Sequence, residues 1–135
     1  MTYTGSCSLI IRGTKLEFDE IKTELNIIPS KVVRRGETIS KIIPKSEYDI
    51  WIYEVKFRDN EEVNETLEPL LSNLLSSKQF LQNLSSSFDV VLKCYVQSDL
   101  AQINFEFSPK VISYLAEIKL RLEVSIFSWG GVEDR

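Results

Sequence analysis

Two alternating runs, a capped helix start and a third alternating run fill the stretch from Val90 to Phe127. Val90, Leu92, Cys94 and Val96 recur at every second position, as do Ala101, Ile103, Phe105 and Phe107. A period of two is the mark of a half-buried strand. Ser98-Asp99 lies between the runs and predicts a turn, so the two strands are expected to pair with each other. Ser108-Pro109 then predicts a helix start, with Ser as the cap and Pro at the first helical position. Val111, Ile112, Leu115 and Ile118 are its expected inner face. Leu120, Leu122, Val124 and Ile126 make a closing strand.

The first half repeats the alternation of strand and helix. Cys7, Leu9 and Ile11 share one face of a strand over Ser6–Arg12, and Gly13 ends it. Phe18, Ile21 and Leu25 predict a short helix over Phe18–Asn26, stopped by Pro29. Lys31–Arg35 is a short strand and Gly36–Asp49 a long loop or hairpin arm. Trp51, Tyr53, Val55 and Phe57 line one face of a strand over Ile50–Phe57, an aromatic stripe that belongs to the core. Val63, Leu67, Leu70, Leu71, Leu74 and Leu75 form the apolar face of a helix. Pro69 fits best in a first turn, which puts the start of that helix at Asn64 or Thr66. Phe80, Leu81 and Leu84 predict a second short helix, and Phe88–Gln97 the next strand. Trp129-Gly130-Gly131 and the charged residues after it read as a tail.

Strand–helix–strand therefore occurs three times. It predicts an α+β two-layer sandwich, with a mostly antiparallel or mixed sheet and helices packed on one face, related to ferredoxin-like plaits. The expected shared core is Trp51, Tyr53, Val55, Leu92, Cys94, Ile103, Phe105, Leu115 and Val124. At 135 residues, with 43% hydrophobic and 27% charged residues, the chain suits one domain over 1–135. No apolar run reaches the roughly 20 residues that span a bilayer, and no secretory signal opens the chain. A cytoplasmic protein with no membrane partner is expected. Cys7 and Cys94 are expected as a buried, reduced pair. A disulfide would require their strands to be neighbours.

Chemistry is narrowed by what the chain lacks. There is no histidine, hence no ordinary general base near neutral pH and no common zinc ligand. The five glycines form neither a dinucleotide fingerprint nor a P-loop. No cofactor, metal or catalytic residue is expected, and the protein is read as a non-enzyme. Glu61, Glu62, Glu65 and Glu68 read as a solvated helix start that favours the helix dipole.

The net charge of −4 is unevenly placed. Lys31, Arg34, Arg35, Lys41 and Lys45 against Glu37 make one segment +4, which leaves −8 elsewhere. The acidic remainder argues against DNA or RNA, and it suits a basic protein surface. Arg34, Arg35 and Asp99 are the candidate partner or anion contacts. Arg34-Arg35-Gly36 supplies side-chain donors beside a flexible backbone, and Asp99 sits in a turn.

Two segments together carry a resemblance. Pro29-Ser30 with Arg35-Gly36-Glu37 is one. The run from Tyr95 through Ser98-Asp99 to Phe105-Glu106-Phe107-Ser108-Pro109 is the other. Both resemble a bacterial family of domains of unknown function, numbered 4279. A glycine is usual there before the aromatic strand, where this chain has Gln102-Ile103-Asn104. The resemblance implies a small single-domain protein of the kind found beside toxin or defence genes, hence an immunity-type role toward a protein partner, as monomer or homodimer. The alternative is a binder of phosphate or a small anionic ligand through the basic 31–45 arm.

Overall fold

In β1, Thr4–Gly13, three apolar side chains at every second position are fully buried: Cys7, Leu9 and Ile11. This strand is the centre of a five-stranded sheet in a computed structural model that describes residues 3–37, 45–58 and 61–128. The strands lie in the order β2-β3-β1-β4-β5, with β2 over Lys31–Val33, β3 over Asp49–Lys56, β4 over Asp89–Ser98 and β5 over Arg121–Ser128. β1 pairs antiparallel with both β3 and β4, and β2 antiparallel with β3. β4 and β5 run parallel. The sheet is mixed, as the alternation of elements predicts.

Four helices cover one face. They are α1, Phe18–Leu25; α2, Val63–Leu75; α3, Lys78–Ser85; and α4, Pro109–Ile118. Ile21 and Leu25 of α1, Val63, Leu67, Leu70, Leu71 and Leu74 of α2, Leu81 of α3, and Val111 and Ile118 of α4 join one buried cluster. From the sheet that cluster takes Cys7, Leu9, Ile11, Trp51, Val90, Leu92 and Cys94. The fold is thus a two-layer α+β sandwich with an open sheet. Of the expected core, Trp51, Leu92 and Cys94 are fully buried. Tyr53, Phe105, Leu115 and Val124 are half-buried and packed against the cluster. Val55 and Ile103 are half-buried as well.

Three expectations are corrected. Ala101–Phe107 is not a strand. Its alternation is real, since Ile103, Phe105 and Phe107 are half-buried while Gln102, Asn104 and Glu106 are exposed. Both sides of β4 are already taken, by β1 and by the parallel β5. A parallel partner requires the chain to travel back along the sheet before it can pair. The segment therefore runs extended but unpaired, and feeds α4 as the first part of that return. The second correction is Ile112, which is 56% exposed. Val111, Leu115 and Ile118 already complete the inward stripe, and the position after Val111 lies about 100° round the helix. The third is the start of α2. Val63 begins it, because Glu62 and Glu65 form a reciprocal capping box. Pro69 consequently falls inside the helix, on its exposed side. Trp129–Gly131 and most of the arm, 38–44, lie outside the described residues.

Candidate functional site

The basic arm leaves β2 through a tight turn. The Glu37 N–H donates to the Arg34 carbonyl at 2.9 Å, and Gly36 takes φ +90°, a conformation only glycine adopts readily. The Gly36 N–H donates to the Ser46 carbonyl at 2.8 Å, and the Ser46 N–H returns to the Glu37 carbonyl at 2.9 Å. The base of the arm is thus a hairpin.

Asp49 ties that hairpin to the body. Its Oδ1 accepts the Arg35 N–H at 2.6 Å and its Oδ2 accepts the Leu16 N–H at 3.0 Å. Burial pulls the Asp49 carboxyl upward. The two backbone donors, with the charges of Arg34 and Arg35, outweigh this and hold it below the usual carboxylate range. The Arg34 guanidinium lies 5.0 Å over the Phe18 ring. Both Arg34 and Arg35 are exposed.

Strand register adds two further arginines to this end of the sheet. Val33, Ile50, Arg12 and Asp89 form one row across the strands. Arg12 bonds Asp89 at 3.0 Å and stands 5.0 Å over the Tyr48 ring. Arg121 reaches the other oxygen of Asp89. A hollow of about 330 Å³ opens beside them, lined by Arg12, Thr14, Tyr48, Phe88 and Asp89 among others. Positions 12, 34 and 121 share no sequence pattern, and only the strand order brings them to one end.

Asp99 is elsewhere. It follows the last residue of β4, whereas Arg34 follows the strand end that registers with the first residue of β4. Ten residues of β4 separate the two ends, roughly 30 Å at the usual rise. The local turn bond there is made by Ser98, whose Oγ accepts the Leu100 N–H at 3.1 Å. Asp99 therefore does not share a site with Arg34 and Arg35.

The helix-free face of the sheet was not singled out by sequence reasoning. Antiparallel sheets with one solvated face usually carry polar residues there. Here Ile52, Ile10 and Val91 stand directly opposite one another across β3, β1 and β4. Ile50 lies one row away, opposite Arg12. All four are half-buried, although every helix residue in the core cluster packs on the other face. Lys31 and Arg121 end the Ile52–Ile10–Val91 row at either side. The next row carries Glu54, Ser8, Lys93 and Glu123, with Lys93 and Glu123 3.4 Å apart. The signal in the sequence was the pair of doublets Ile10-Ile11 and Val90-Val91, which put an apolar residue on both faces.

The four glutamates at the start of α2 are engaged locally. Glu62 and Glu65 form the capping box. Glu61 accepts the Thr66 hydroxyl at 2.5 Å and the Arg58 N–H at 3.3 Å. The Thr66 bond above all holds the Glu61 carboxyl below its usual range. Glu68 accepts the Ser108 hydroxyl at 3.0 Å.

Among the described residues no three His, Cys, Asp or Glu side chains form a group that could hold a metal ion. No described helix is long and apolar enough to cross a membrane. A two-layer sandwich with arginines along one sheet end and an apolar row on the face opposite the described helices defines the molecule. The chain belongs to the family described as a domain of unknown function, DUF4279, whose model matches residues 1–129. No curated protein and no solved structure matches it.

Proposed function

We propose that this protein is a non-enzymatic binding module, of the immunity type, whose open sheet face receives a protein partner. The observation that carries the reading is the row Ile52–Ile10–Val91 with Ile50 beside it, covered by none of the described helices and ended by Lys31 and Arg121. An apolar centre with a polar rim is how protein interfaces are built. The rim decides the partner's chemistry. The rim carries both signs, with Arg12 and Arg121 sharing Asp89, Lys31 at one end of the row and Glu54 and Glu123 in the next, so the complementary surface is apolar at its centre and mixed in charge at its edge. The acidic helix layer lies on the far side, where its carboxylates cap and brace helices. The absence of histidine supports a non-enzyme.

The test uses a partner recovered from the native host and Ile10→Ser, a change on the open face that leaves the buried cluster intact. Affinity for that partner is expected to fall at least tenfold in the variant, with the far-ultraviolet circular dichroism unchanged. Equal affinity in a folded variant sinks the open-face reading. Sedimentation of the protein alone separates a second copy on this face from a foreign partner.

A second reading rests on the arginines. Arg34 and Arg35 stand beside Asp49 where the arm leaves the edge strand β2, and their charges act on its carboxyl. Two adjacent exposed arginines on the basic 31–45 arm suit a phosphate or another small anion.

A further inference from the structure

Cys7 and Cys94 stand directly opposite each other in the antiparallel pair of β1 and β4. Both side chains are fully buried, and their sulfurs are 3.1 Å apart. Opposed residues in antiparallel strands have Cα atoms about 4.5–5.5 Å apart, inside the range of about 4.4–6.8 Å that a disulfide accepts. Both cysteines are free thiols here. They are separated by 87 positions, so nothing local in the chain aligned them.

We propose that Cys7 and Cys94 are a cross-strand dithiol that a small disulfide converts to an intramolecular disulfide without change of fold. The sulfurs must approach by about 1 Å to reach the bond length of about 2.05 Å. Side-chain rotation on already paired strands supplies that movement. The step is thiol–disulfide exchange. One cysteine thiolate attacks a sulfur of the reagent and expels one reagent thiolate. The other cysteine thiolate then attacks the mixed disulfide and expels the second. The protein loses two protons and two electrons, and the reagent disulfide is reduced to two thiols.

The surroundings set the rate. The bond to Cys94, and then burial, push the Cys7 thiol well above its usual range. Both sulfurs lie under the helix layer, where no reagent reaches them while the sandwich is closed. Exchange therefore requires an opening of the layers or an unfolded chain. The bond would join the centre strand to its neighbour and close a long loop, which raises stability by restricting the unfolded chain.

The experiment refolds the reduced wild-type chain with oxidised glutathione and with reduced glutathione, side by side. The oxidised sample is expected to lose the mass of two hydrogens and to show no thiol after unfolding. It keeps the circular dichroism of the reduced form and melts roughly 5–15 °C higher. Added to the folded reduced protein, oxidised glutathione should react at least tenfold more slowly, and a denaturant below the unfolding midpoint should speed it. Cys94→Ser should yield only the mixed disulfide at Cys7. Two titratable thiols after oxidative refolding would overturn the proposal. So would a disulfide-bonded product that has lost the native circular dichroism.

Discussion

Asp49 shows how much one carboxylate can organise. It accepts backbone N–H groups from Leu16 and Arg35, which belong to two different connections. Its identity in the sequence suggested nothing beyond the end of a loop, because the partners lie 33 and 14 positions away. Asp49→Ala is expected to cost about 1–2 kcal/mol, since it strands the Leu16 N–H while water takes up the exposed Arg35 N–H. The effect depends on pH. The folded-state acidity lies below that of the unfolded chain, so the contribution is present in full above the unfolded value of about 4. It is lost as pH falls through the folded value. Melting of wild type and variant from pH 7 to pH 3 should show a gap that narrows on the acid side. A gap that stays constant to pH 3 would mean that the carboxylate is not the cause.

Among elements, the connection from β4 to α4 departs furthest from its sequence reading. Its alternation was legible, and so was its cap. The Ser108 Oγ accepts the Val111 N–H at 3.1 Å, as Ser-Pro predicts. What it lies against was not legible. Asn64 of α2 donates to the Glu106 carbonyl at 2.7 Å and accepts the Ser108 N–H at 2.9 Å. Phe105 rests between Tyr3 and Phe107, with ring centroids 5.7 Å from each. An extended segment pinned by side chains and rings has the period of a strand without a partner strand. Ser108→Ala removes the cap and the Glu68 contact together. A loss of about 1–2 kcal/mol in chemical unfolding is expected, the range of a helix cap. A change below about 0.5 kcal/mol would show that neither the cap nor the Glu68 contact holds this helix start.

For the molecule as a whole, the uneven charge noted along the chain becomes a separation in space. The arginines 12, 34, 35 and 121 are spread along one end of the sheet from edge to edge, while α1 carries Asp19, Glu20 and Glu24 in the other layer. The double change Arg34→Glu/Arg35→Glu takes the net charge from −4 to −8. Both side chains are exposed, so the midpoint of unfolding should move by no more than about 0.5 kcal/mol. If the sheet end holds anions, titration with inorganic phosphate should show binding to wild type and none to the double variant. Equal titration curves would discard the anion reading and leave the open-face reading untouched.

Composition and periodicity alone determined the α+β class, nine element positions to within a few residues, and most of the inward-facing residues. These follow from local rules: side-chain period, caps and turn residues act within a few positions of the chain. The resemblance to DUF4279 was also legible, in the Pro29-Ser30, Arg35-Gly36-Glu37 and Tyr95–Pro109 segments, and the family match over residues 1–129 bears it out. Only the tertiary structure decided strand order, and the contacts on which the proposals rest depend on it. The parallel placement of β5 denied a partner to Ala101–Phe107. The register of β1 with β3 and β4 aligned Ile52, Ile10 and Val91 on the open face and set Cys7 against Cys94. It also parted Asp99 from Arg34 and Arg35. Pairing between distant strands is chosen by the burial of whole faces, a sum over the entire sheet, and no short stretch of sequence contains that sum.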